Sequence, residues 1–193
     1  MGELVAAFGV SHAPGITAWP QAAPPEQLER ILAAFGRLRD RLTAARPDLV
    51  VLVAAEHWAN FFLDNMPVLG AVGLAAEYEG PVEDWLKLER RTVPGAPEFA
   101  RALLDDAVDA GIEPSASREL VLDHASMLPI HLLIEDQSMP IVPIILNCLV
   151  EPMARPRRCY ELGQSLRRTI ARRPERVAVI GSGGLSPWPG EPE

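Results

Sequence analysis

This chain has little of what most readily assigns a protein to a class. Its two cysteines, Cys148 and Cys159, are too few for a disulfide framework and lack the paired spacing of a cysteine metal site, which predicts reduced thiols. The longest apolar run, residues 140–146, falls far short of the roughly 20 residues a membrane-spanning helix needs. Basic residues are outnumbered, 18 Lys and Arg against 26 Asp and Glu. The resulting net charge of −8 argues against a nucleic-acid partner, which would be held by neutralising phosphates. The opening stretch MGELVAAFGV has neither the basic segment nor the cleavage site of a secretory signal. The expectation is a cytoplasmic protein with neither nucleic acid nor membrane as partner. Histidine is scarce too, with four in 193 residues.

What is present is a set of alternating apolar segments. Hydrophobic residues make up 48% of the chain, and 19 prolines punctuate it without forming a low-complexity block. Residues 4–10 read as a buried strand, and residues 49–55 (LVVLVAA) as a second. Between them Pro24 and Pro25 open a helix to about Arg46, with Leu28, Ile31, Leu32, Phe35, Leu38 and Leu42 forming one apolar stripe. Residues 66–73 suggest a third strand, residues 78–94 an irregular flap, and residues 97–111 a second helix ended by Gly111. The run 120–122 leads into Asp123 and His124, with a short helix after it. The strand 141–146, the helix 157–172 and the strand 176–180 complete the alternation. The pattern predicts one α/β domain over residues 1–193, with a mostly parallel sheet, helices on both faces and a crevice at the carboxyl ends of the strands. The arginines at 155–176 read as a solvated helix face.

Three of the four histidines fall just after apolar runs. His12 follows residues 4–10, His57 follows residues 49–55 and His124 follows residues 120–122. Imidazoles delivered to one crevice suit a metal or an acid/base site. His12 and His57 are candidate ligands for Fe, Zn, Cu or Ni, although two imidazoles do not complete a site. Trp58, Phe61 and Phe62 make the segment after His57 too apolar for casual exposure and suit a pocket wall. Asp123 is either a partner of His124 or the N-cap of the helix that follows. His131, among Ile130, Leu132 and Leu133, reads as a core or half-buried residue. The run Gly181-Ser182-Gly183-Gly184 lacks the spacing of a phosphate loop and suits close backbone approach at the crevice floor.

Four segments in order, Ser11-His12, Glu56-His57 with residues 60–67, Asp123-His124 and Gly183-Gly184-Leu185-Ser186, resemble those of the class III extradiol ring-cleavage dioxygenases. That family includes protocatechuate 4,5-dioxygenase catalytic subunits and 2,3-dihydroxyphenylpropionate dioxygenases. The resemblance covers nearly the whole chain. It implies Fe(II) as cofactor, held by His12 and His57, with His124 catalytic and acting on the substrate or oxygen. It also implies substrate contacts from Asn60, Phe61, Gly184 and Ser186, a catechol and O2 as reactants, and a homo- or hetero-oligomer. Two departures are expected to impair catalysis. Pro187 stands where the family has an acid/base histidine, and the family's glutamate ligand lies downstream of the last residue, Glu193. Glu56 and Asp64 do not match that ligand. The alternative expectation is an inactive dioxygenase-like subunit that binds and stabilises an active partner.

Overall fold

The computed structural model describes residues 1–184. The order of elements is β1 (Glu3–Ser11), α1 (Gly15–Ala18), α2 (Pro25–Ala45), β2 (Leu49–Ala55), β3 (Gly70–Gly73), β4 (Glu77–Gly80), β5 (Arg91–Pro94), α3 (Pro97–Asp109), β6 (Ser115–Ser117), α4 (His124–Leu133), β7 (Ile141–Leu146), α5 (Pro156–Arg172) and β8 (Arg176–Gly183). Six strands form one sheet in the order β1-β8-β2-β7-β3-β6, parallel at every step except β7 with β3. The fold is therefore α/β with a mostly parallel sheet. Helices α2 and α4 cover one face, and α3 and α5 cover the other.

Local chemistry accounts for the helix boundaries. Proline occupies the first turn of α2, α3 and α5, where its missing N–H costs nothing. Helix α2 ends at Arg46 in the left-handed conformation (φ 47°), and Pro47 prevents its continuation. Helix α4 starts where the Asp123 carboxylate accepts the Ser126 N–H. It is buried nearly all round beneath α2, which accounts for its apolar sequence.

The central strand β2 fits its sequence. Val50 and Leu52 pack towards α2 and α4, while Leu49 and Val51 pack towards α3 and α5. Removing such a side chain, as in Leu52→Ala, costs about 2–5 kcal/mol.

Several sequence expectations change. Strand β1 is not buried on both faces: among the described residues it lies at the sheet edge, paired with β8 alone, and Leu4 is 52% exposed. The first two strands are not neighbours, because β8 enters between them. The third strand shrinks to Gly70–Gly73, where a Cβ on Gly70 would lie 2.1 Å from the Ile145 carbonyl oxygen. Residues 78–94 are not irregular. They contain most of an antiparallel hairpin, β4 with β5, closed by a short 3-10 turn at Asp84–Leu86. Finally, the apolar run 120–122 is a connection from β6 into α4 and not the end of a strand, unlike the runs before His12 and His57.

Candidate metal and acid/base site

His12 and His57 leave the carboxyl ends of β1 and β2, and His124 is the first residue of α4. Their ring centroids lie 5.1 Å (His12–His57), 5.5 Å (His12–His124) and 4.3 Å (His57–His124) apart. Each offers a nitrogen within 4.8 Å of the others. The structure thus brings together the three histidines singled out in the sequence, though only two of them arrive from strand ends.

Each imidazole is held by a different element, and always through Nδ1. The His12 Nδ1 lies 3.0 Å from the Ser182 Oγ on β8. That hydroxyl donates its only proton to the Ala125 carbonyl at 2.6 Å, so it must accept from the His12 Nδ1–H. His57 donates Nδ1–H to the Asp123 Oδ2 at 3.0 Å. His124 donates Nδ1–H to the Glu83 Oε1 at 2.7 Å. A carboxylate is acceptor-only, which fixes both tautomers. With Nδ1 taken up in each ring, Nε2 is the nitrogen that a neutral imidazole has left to bind a metal or accept a proton.

The electrostatics agree for His12. It is 9% exposed, and burial together with the neighbouring His57 and His124 lowers its pKa from the ordinary 6.5 to about 4. It is therefore neutral at physiological pH. Three imidazole donors fit a divalent transition metal. Among the described residues no carboxylate joins this triple. Glu83 and Asp123 form a second group with His124.

The loop after β2 is built around Glu56. Its carboxylate is 1% exposed and accepts the main-chain N–H groups of Ala59 (2.6 Å), Asn60 (2.7 Å) and Phe61 (3.3 Å). It is an internal anchor of the loop that carries His57. The Asn60 amide bonds Glu56 and both main-chain groups of Val121, so it ties this loop to the segment before Asp123. Phe61 is half-buried against the α2/α4 core. Trp58 and Phe62, expected to line a wall, are instead exposed. A second aromatic wall comes from elsewhere. Trp85, in the β4–β5 hairpin, stacks on Trp19 with centroids 5.5 Å apart and lies 5.6 Å from the His124 ring.

Other expectations divide. Asp123 is the N-cap of α4, and its histidine partner is His57 rather than the adjacent His124. His131 is exposed on the outward side of α4 rather than packed in the core, because the buried side of that helix is taken by residues 125–130 and 133. Arg157 and Arg158 pair with Glu161, the solvated pattern expected of α5. Gly184 is exposed, and a Cβ at Gly183 or Gly184 would meet nothing within 4 Å, so close approach does not explain these glycines. A trough of about 720 Å³ runs along Gly9, Ser11, Val53, Gly181 and Gly183 on the α3/α5 side of the sheet. None of the three imidazoles lines it. Ser186 and Pro187 lie outside the described residues.

Glu83, Ser182 and Trp19 were not apparent from sequence. Their partners lie 41, 170 and 66 residues away for Glu83–His124, Ser182–His12 and Trp19–Trp85, and no local pattern encodes such pairings.

Residues 6–191 match the family model described as the catalytic LigB subunit of aromatic ring-opening dioxygenase. A 2,3-dihydroxyphenylpropionate/2,3-dihydroxicinnamic acid 1,2-dioxygenase of Photorhabdus laumondii is 32% identical over 173 residues, covering 89% of this chain and 53% of that protein. One of the same name from Burkholderia vietnamiensis is 33% identical over 175 residues, covering 90% and 53%. The chain spans about half the length of these relatives. A solved structure of an uncharacterized protein from Escherichia coli K12 superposes with a TM-score of 0.55 at 18% identity, over 83% of this chain and 58% of that one.

Proposed function

Because the chain belongs to the family of the catalytic LigB subunit of aromatic ring-opening dioxygenase, we propose that residues 1–193 act as one α/β unit in Fe(II)-dependent extradiol cleavage of a catechol-type ring with O2. The observation that carries this reading is the convergence of three imidazoles, each with Nδ1 bonded and Nε2 free. His12 and His57 would hold the iron. Their Nδ1 partners, Ser182 and Asp123, fix ring orientation and increase the basicity of the donor nitrogen. Bound Fe(II) supplies a redox-active Lewis acid at which a catechol and O2 can meet.

The chain's own residues do the rest. His124, through Nε2, takes a phenolic proton from the substrate and later returns it. Trp85, stacked on Trp19 beside His124, gives a flat aromatic ring a surface to lie against and limits water. Glu56 and Asn60 hold the loop that positions His57. The relatives named for dihydroxyphenylpropionate make a 3-substituted catechol the first substrate to try.

The test is an assay with Fe(II), ascorbate, air and a panel of catechols, following the yellow ring-opened product. Weak turnover, impaired by Pro187 in place of the family's histidine and lost altogether in His12→Ala and His57→Ala, supports the reading, whereas robust turnover would overturn the assignment of these residues. Tight binding of an active dioxygenase subunit, with no turnover and no iron uptake by this chain, would favour a stabilising subunit instead.

A further inference from the structure

We infer that Glu83 is the positioning residue of His124, setting both the direction of its ring and the nitrogen that carries its proton. The inference rests on the acid/base role given to His124 above, and its test is independent of turnover.

One oxygen, Glu83 Oε1, accepts two hydrogen bonds from the same residue: the His124 ring Nδ1–H at 2.7 Å and the His124 main-chain N–H at 3.1 Å. Holding ring and backbone on one atom removes the rotations that a single contact would leave free. Turning the ring over would set a carbon against the carboxylate and lose the ring bond. Both side chains are largely shielded from water, 12% exposed for His124 and 15% for Glu83, so solvent competes weakly for the bond.

Glu83 is itself held in place. It follows β4, whose last residue, Gly80, lies so close to the segment leading into α4 that a Cβ there would fall 2.7 Å from the Leu122 Cβ and 2.7 Å from the Leu122 oxygen. The Leu122 N–H bonds the Glu79 oxygen at 2.8 Å, and the Val82 N–H bonds the Leu122 oxygen at 3.1 Å. The hairpin is thus joined to the residue two before His124. Trp85, two residues after Glu83, lies over the same ring. The second carboxylate oxygen, Oε2, is buried and has no hydrogen-bond partner among the described residues. Glutamine can therefore keep Oε1 in place and put its amide group where nothing is displaced, whereas alanine loses the acceptor altogether.

The experiment uses the metal-free 193-residue chain, with ¹⁵N-labelled histidine, roughly two pH units above the ordinary imidazole value so that the rings are neutral. Long-range ¹H–¹⁵N correlation reads the His124 tautomer, and His124→Gln assigns its signals. The expected result is a pyrrole-like Nδ1 and a pyridine-like Nε2 in the wild type and in Glu83→Gln. In Glu83→Ala the pattern should revert to, or mix substantially with, the opposite one. Should the alanine variant not fold by circular dichroism, Glu83→Asp, one methylene shorter, must show the same loss. A wild-type His124 protonated on Nε2, or a pattern unchanged by both the alanine and aspartate variants, overturns the assignment. The expected tautomers together with no ring cleavage by the iron-loaded chain would uphold Glu83 and remove the activity proposed above.

Discussion

The Asp123 carboxylate does two jobs at once. Its Oδ2 accepts the His57 Nδ1–H at 3.0 Å, while its Oδ1 accepts the Ser126 N–H and caps α4. The metal candidate at the end of β2 and the start of the helix that carries His124 are therefore fixed by one side chain, 97% buried by its exposure of 3%.

The two jobs can be separated by substitution. Serine is also a good N-cap but cannot reach His57 as a carboxylate does. Asp123→Ser should keep thermal stability near wild type and weaken Fe(II) or Co(II) affinity by about 10–100-fold, the usual effect of losing a ligand's hydrogen-bond partner. Asp123→Ala should show the same affinity loss and about 1 kcal/mol less stability. Metal titration and thermal melting measure the two effects, and unchanged affinity in both variants would contradict the pairing.

His12 should impose a pH dependence on stability. Its pKa is about 4 in the folded protein, lowered first by burial and then by His57 and His124, against 6.5 for an ordinary imidazole. Below 6.5 the unfolded chain binds a proton that the folded chain refuses, so stability falls as pH drops from 6.5 towards 4. Replacing His12 with glutamine should flatten this part of the profile. The check is denaturant unfolding of both forms between about pH 7 and pH 5, with NMR titration of His12 alongside.

Glu56 is a test of loop architecture. Glu56→Ala leaves the N–H groups of Ala59, Asn60 and Phe61 without their acceptor. At about 1–3 kcal/mol for an abandoned buried polar group, the variant should melt lower and bind metal more weakly through His57. Glu56→Gln should fall between it and wild type. If alanine changes neither stability nor metal binding, the loop does not depend on this anchor.

Trp85 should report on the ring-binding surface. An aromatic pair contributes about 0.5–1.5 kcal/mol beyond area burial, so Trp85→Ala should raise catechol KM or Kd by roughly two- to tenfold with little effect on metal content. Catechol binding should also quench tryptophan fluorescence in the wild type. A variant with unaltered affinity would show that the ring lies elsewhere.

Much of this was legible from sequence because it is local. The apolar run LVVLVAA has the length and branching of a covered strand, and the stripe from Leu28 to Leu42 has a helical period, so β2 and α2 appear where expected. His12 and His57 were legible as strand-end residues for the same reason. The positions that were misread depend on topology. Residues 4–10 are as apolar as a central strand, yet only the sheet order places them at an edge. The β4–β5 hairpin is short and carries alternating charges, so its pairing is set by contacts with residue 122 rather than by hydrophobic period. Of the two readings open for Asp123, the N-cap holds and the pairing with its neighbour His124 does not. The helix geometry turns it to His57 instead, and Glu83, 41 residues upstream, takes the place beside His124.

The insertion of β8 between β1 and β2 has a consequence for how the molecule comes into being. During synthesis β1 emerges long before its neighbour in the sheet, which begins at Arg176, opposite Glu3. Until that strand arrives β1 has no partner, and the facing side of β2 is open as well. From the synthesis of β2 until that of β8 the growing chain must carry two unpaired apolar strand borders, a state prone to association with other chains and slow to resolve because the missing contacts are so distant in sequence. The bond between His12 and Ser182 spans 170 residues. The cluster of histidines is therefore assembled when β8 docks, and a chain interrupted before residue 176 would have the histidines without the geometry that gathers them.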